Sequence, residues 1–168
     1  LTVSSSPHAT SALTTPKIMW SVFGTLMPAS IFSVYLFGLP AATVILATVI
    51  FCAAFEAFAN VLMKRPLPLG DGSAVLSGLI LALSLPPGLP IWICGVGAFI
   101  TIIVSKSVFG GLGQNPFNPA MTGRVFLLIA FPAPLTRWLV PAANQNDASF
   151  MGNPVTFFDA AGKLTEQG

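Results

Sequence analysis

A chain of 168 residues that is 54% hydrophobic and 7% charged, with a mean hydropathy of +0.84, is not an ordinary soluble domain, in which about a quarter of residues are charged. It reads as an all-α integral membrane protein of about five transmembrane helices, and its formal charge of +2 is too small to point to nucleic acid. The single histidine, His8, lies in a polar tail, and Cys52 and Cys94 lie in separate apolar runs without CxxC spacing. The chain therefore offers no His-based catalytic constellation and no metal site, and both thiols read as buried and inert.

The expected organisation is a tail over 1–16, a helical membrane domain over 17–140 and a polar extracytoplasmic stretch over 141–168. The tail is Ser/Thr-rich, has no Lys or Arg and leads to no small-residue cleavage site. It reads as cytoplasmic, not as a secretory signal. Thr14-Thr15-Pro16-Lys17 has the form of a helix start with proline in the first turn. The apolar run from Ile18 to about Gly38 then carries Trp20 near one end and Tyr35 near the other, where interfacial rings belong. About 20 residues cross a hydrocarbon core of ~30 Å, so this is the first transmembrane helix, with a kink expected at Pro28.

Leu39-Pro40 makes a turn, and the second run, Ala41 to Met63, stops at Lys64-Arg65-Pro66. Glu56 is the only acidic residue inside it. Either it is a functional or paired carboxylate facing the protein interior, or it lies close enough to the end to reach water or Lys64. A Pro/Gly-rich loop ends at Asp71-Gly72-Ser73, which opens a third helix. That helix runs to Leu85, before Pro86-Pro87-Gly88, and at roughly 20 Å it is too short to span unaided. Such a short or broken helix borders a binding site in many transporters, and the plainer explanations are bilayer thinning or a continuation as irregular chain.

The fourth span, Ile91 to Val108, has Trp92 at its outer edge and Lys106 near its inner end, with Gly95 and Gly97 suited to close helix packing. Then comes the most distinctive stretch of the chain, Gly110-Gly111-Leu112-Gly113-Gln114-Asn115-Pro116-Phe117-Asn118-Pro119-Ala120-Met121-Thr122-Gly123-Arg124. Its glycines and Asn-Pro steps break the backbone at or near membrane depth, where unpaired amides need cover from protein, a cofactor or water. Asn115 and Asn118 could also simply cap the fifth helix, which begins near Pro119, runs to Phe131 and extends through Pro132-Ala133-Pro134 towards Trp138 and Val140. Arg124 is read either as a snorkelling anchor or as a cation facing a ligand. If every segment crosses, Lys17, Lys64, Arg65 and Lys106 share one side, opposite Arg137 and Lys163. The positive-inside rule then puts the amino terminus in the cytoplasm.

Three stretches together resemble the D subunit of the Rnf electron-transport complex and, more distantly, the B subunit of the sodium-pumping NADH:quinone oxidoreductase. They are Ser5-Ser6-Pro7-His8, the segment Asp71 to Leu79 running on to Leu85-Pro86-Pro87, and Gly110 to Met121. The resemblance extends over essentially the whole chain but corresponds to the amino-terminal half of the family's length. It implies a multi-pass flavoprotein of the bacterial inner membrane, passing electrons between ferredoxin and NAD with sodium or proton movement. The implied partners are the A, B, C, E and G subunits and membrane lipid. Family members attach FMN through a phosphoester to the threonine of a Ser/Thr-Gly-Ala-Thr-like motif. No such motif occurs here, and neither Thr156 nor Thr165 has the required neighbours. What the resemblance leaves is a non-covalent flavin site, for FMN or riboflavin. In it Asn115 and Asn118 hydrogen-bond the ring or ribityl chain, Gly111 and Gly113 allow close approach, and Arg124 stands nearby. No catalytic acid, base or nucleophile is assigned.

Two other classes stay open. Asn118-Pro119-Ala120 matches the tripeptide of water and glycerol channels, but those have two such tripeptides and an arginine directly after the second, whereas Arg124 follows Ala120 by four residues. A secondary transporter also fits the short third helix and broken fifth, and the redox family resembles urea-transporter folds.

Overall fold

The computed structural model describes residues 14–63, 71–111 and 114–139, together with the backbone of 157–158 and 164–165. Lys64, Arg65, Gly113, Lys163 and the tail motif around His8 lie outside the described residues. The fold is helical. Two helices are long and apolar enough to cross a membrane: α1 (Thr15–Phe37) and α2 (Leu39–Leu62). Three shorter apolar helical segments accompany them. These are α3 (Ser73–Ser84), then α4 (Ile91–Phe99) continuing into a π-helix over Ile100–Ser107, and α5 (Pro119–Ala130). A short α6 (Pro132–Thr136) follows. A minimal antiparallel ladder joins β1 (Trp138–Leu139) to β2 (Phe157–Phe158) and β2 to β3 (Leu164–Thr165), adding a trace of sheet to an otherwise helical chain.

Lipid offers no partner for backbone or hydroxyl groups, and the helices answer this internally. The hydroxyls of Thr25, Ser30 and Thr48 donate to the carbonyls of Val22, Leu26 and Val44 on their own helices. Helix α1 runs through Pro28, which lacks the amide that would meet the Gly24 carbonyl. Ser30 is its only fully buried residue; Phe23, Leu26, Ser33, Val34, Leu36 and Phe37 are half-buried, and most of its other side chains are exposed.

Helix α2 is the central element. Ala41, Val44, Thr48, Cys52, Glu56 and Ala59 recur every three or four residues and form its buried stripe. Small residues in that stripe let α3 come close. A methyl group placed on Gly78 of α3 would lie 3.0 Å from the Val49 Cα and 3.1 Å from the Cys52 Cβ. Cys52 and Cys94 are both buried and free, as read from their apolar surroundings.

The short third helix continues as irregular chain. Leu85, Pro86, Pro87 and Leu89 are all buried, and Leu85 and Leu89 pack in one cluster with Val44, Leu81, Ile93, Cys94, Ala120, Leu127 and Leu135. Protein therefore covers most of this non-helical stretch, which is one of the ways such backbone is tolerated at membrane depth.

Candidate functional site

At the end of the bundle formed by the last turns of α2, the first turn of α3 and the π-helix, four polar side chains form one chain of contacts. Lys106 Nζ donates to Glu56 Oε1, and it also donates to Ser73 Oγ at 2.6 Å. The Ser73 hydroxyl passes the line on to Asp71 Oδ1 at 2.8 Å, and the same oxygen accepts from the Ser73 amide at 2.9 Å. Glu56 is 5% exposed and Lys106 4%, while Asp71 is only half-buried. The oxygens and the ammonium thus run from a partly exposed mouth at Asp71 to an enclosed end at Glu56.

Glu56 is therefore a paired interior carboxylate, and its partner among the described residues is Lys106, 50 residues further on. Lys106 is itself relocated: it sits at the end of its helix as expected, yet points into the protein and adds nothing to the surface charge that sets orientation. The π-helix is the local cause. Its i→i+5 bonding adds a residue to each turn and changes which face the last turn presents. The widened bonding continues past the helix, since Val108 N–H donates to the Ile103 carbonyl and Gly111 N–H donates to the Lys106 carbonyl at 3.0 Å. Lys106 thereby holds α2 and α3 by its side chain and the start of the Gly/Asn/Pro interruption by its backbone.

That interruption turns on Gly110 and Gly111, with φ of 113° and 104°. A Cβ on Gly110 would overlap Gln114 Oε1, so a side chain here meets both steric and backbone strain. Gly110→Ala is expected to cost about 1–3 kcal/mol. A lowered thermal midpoint of the solubilised protein, with the loop more readily cut by protease, is the measurement that checks it.

The two asparagines divide their roles. Asn118 is the N-cap of α5, its Oδ1 accepting from Ala120 N–H at 3.0 Å. Asn115 Oδ1 is buried and has no hydrogen-bond partner. Gly111 lies at the turn, and Arg124, half-buried one turn into α5, makes no ion pair among the described residues. Nearby, Gly123 lets α5 cross the π-helix closely: a Cβ there would overlap Thr101 Oγ1 and stand 3.0 Å from the Gly97 carbonyl. The hydroxyls of Thr101 and Ser105 and the Asn60 amide nitrogen are also buried without partners. No group of three or more metal-ligating side chains occurs among the described residues.

Comparison with known proteins decides the family. The profile of the NQR2, RnfD, RnfE family matches residues 2–166. The chain is 40% identical over 167 residues to the D subunit of the proton-translocating ferredoxin:NAD(+) oxidoreductase complex of Clostridium ljungdahlii, covering 98% of this chain and 50% of that protein. The chain belongs to the NQR2, RnfD, RnfE family. It is also 46% identical over 138 residues to the D subunit of the ion-translocating oxidoreductase complex of Halorhodospira halophila, covering 81% of the chain and 39% of that relative. With the protein of the same description from Rhodobacter capsulatus it shares 40% identity over 154 residues, 90% of the chain and 43% of that relative. The chain thus spans about half the length of the curated relatives it matches. The resemblance drawn from the Asp-Gly-Ser and Gly/Asn/Pro stretches holds, and both stretches meet in this family member at one end of the bundle, joined through Lys106.

Proposed function

We propose that this chain is a membrane component of an Rnf-type complex in which electron transfer between ferredoxin and NAD is coupled to sodium or proton translocation. The observation that carries the reading is the 40% identity over 98% of the chain with a relative named for that reaction. In this reading the bundle crosses the bacterial inner membrane five times, with the amino terminus in the cytoplasm. It assembles with the complex's A, B, C, E and G subunits.

The cofactor of the reading is a flavin held without a covalent bond at the Gly/Asn/Pro interruption. The orphaned Asn115 Oδ1 is a buried acceptor suited to a ring N–H or a ribityl hydroxyl, and the turn at Gly111 brings backbone within reach. Asn118 already spends its oxygen on the helix cap, so its amide nitrogen is the group left for a ligand. In this reading Arg124, half-buried in the second turn of α5, supplies the positive charge. When bound, a flavin supplies a one- or two-electron carrier; the chain's own groups orient it and keep it from water.

Asn115→Leu in the purified complex tests this reading. Flavin released on denaturation is expected to fall by most of one equivalent while subunit composition stays intact. Unchanged flavin content would remove the site. Asn118→Asp, which keeps the cap, is the companion variant that separates helix stability from binding. A secondary transporter, favoured by the short α3 and its buried irregular continuation, predicts no flavin in either sample.

A further inference from the structure

Between α1 and α2 the packing stays open. A groove of about 410 Å³ has Phe23 and Val34 on its α1 wall, Ala42 and Val49 on its α2 wall and the buried Leu79 of α3 beneath them. Ile31 and Leu46, which also line it, are largely exposed, so the groove opens to the outside of the bundle. Its lining is apolar except for Ser30, whose hydroxyl already donates to the Leu26 carbonyl at 3.0 Å. A polar ligand finds no free donor here. Phe23 to Val34 is about 17 Å of helix, so the groove follows the helix axis, the direction in which lipid chains also run. Size decides between occupants. A helix about 10 Å across and as long as the groove fills on the order of 1,300 Å³, about three times the space. An alkyl chain, about 4 Å across from the contact distance of carbon atoms, fills roughly 200 Å³ over the same length. One or both chains of a phospholipid fit, and a neighbouring helix does not enter. An empty groove would forfeit the dispersion contacts of every side chain lining it, so in a bilayer the space is filled.

The end of the groove selects the headgroup. Trp20 lies one turn before Phe23, the two rings 5.5 Å apart and edge to face, and its indole packs against Gly72 at the start of α3. One turn further out, Lys17 is exposed and makes no ion pair among the described residues. It precedes Phe23 by six residues, about 9 Å along the helix. Helix α1 carries no acidic residue to neutralise it. An interfacial ring and an unpaired ammonium thus stand at headgroup depth above a hydrocarbon groove, the arrangement that favours anionic lipid. We propose that the groove between α1 and α2 is a binding site for an anionic phospholipid, with acyl chain between Phe23 and Val34 and phosphate on Lys17. The inference rests on the membrane setting of the reading above and not on its flavin. Ala42 keeps the site open, because a larger side chain there takes the volume of the chain.

The test uses the whole complex, reconstituted in vesicles of equal phosphatidylglycerol and phosphatidylcholine, re-extracted in mild detergent and analysed for retained phospholipid by mass spectrometry. The native complex is expected to hold phosphatidylglycerol in preference to phosphatidylcholine. Ala42→Phe puts a ring in the groove and is expected to lower the retained count by about one phospholipid per copy of this subunit, the one chain-filled site it closes. Lys17→Gln leaves the groove intact. It is expected to keep the count but to weaken the headgroup preference at one position per copy about fivefold, the effect of one basic side chain at a membrane surface. A native count in Ala42→Phe overturns the proposal, and so does a native headgroup ratio in Lys17→Gln. Release of another subunit by Ala42→Phe, with phospholipid unchanged, gives the groove to a protein partner and overturns it too. Should Ala42→Phe fail to assemble, the headgroup ratio of Lys17→Gln alone decides. A native complex released from membranes without detergent fails the membrane setting itself, before any variant is compared.

Discussion

Lys106→Met by itself is expected to destabilise the protein by about 3–5 kcal/mol, since it leaves the Glu56 carboxylate buried without its partner. Three helical elements would lose their common tie at once, because Lys106 bridges α2 and α3 from the π-helix. The double change of Glu56 and Lys106 to Gln is expected to recover most of that loss, to within about 1–2 kcal/mol of the native protein, as neutral hydrogen bonds can replace the ion pair. Thermal inactivation of the detergent-solubilised complex, followed by size-exclusion chromatography, measures both. A loss below about 1 kcal/mol for the single change, the range of exposed pairs, would mean that water reaches the site.

Gly123→Leu is expected to be as damaging for a different reason. At this crossing the Thr101 hydroxyl and the Gly97 carbonyl occupy the space a side chain would need, and Leu127 of α5 already fills the space above Gly97, with its Cδ1 2.6 Å from where a Cβ on Gly97 would be. The backbone carbonyl cannot rotate away, so α5 must move off the π-helix, at a cost of about 3 kcal/mol or more. Gly24→Leu on α1 is the control: nothing lies within 4 Å of a Cβ there, and the expected change is within about 0.5 kcal/mol. The yield of folded protein extracted from membranes and its thermal midpoint separate the two. Equal behaviour of both variants would mean that the helices do not cross as described.

The two predictions mark what could be read from residues alone. The long apolar runs of α1 and α2 follow from composition, because some 20 apolar residues leave few alternatives to a helix in lipid. Proline and asparagine at the start of α5 also speak locally, and Asn118 caps that helix as its position suggests. Glu56 stands out in sequence as a charge in an apolar run, and so does Lys106. Their pairing was the signal available, two opposite charges near the C-terminal ends of the second and fourth spans, which run parallel. Proximity in the chain points to Lys64, which lies outside the described residues, and the packed bundle brings the distant Lys106 to the carboxylate.

By itself, then, the sequence determined a helical membrane protein, its family, the places where helices break and the residues that look out of place in lipid. Those are local properties, set by the chemistry of neighbouring residues and by the thickness of the membrane. The tertiary structure alone decided that Lys106 meets Glu56 and Ser73, that Asn115 is left without a partner while Asn118 is used, and that protein covers the irregular chain after α3. Each depends on which faces of separate helices come together, and a π-helix that alters its own facing through i→i+5 bonding removes the simple periodicity from which such facing is inferred.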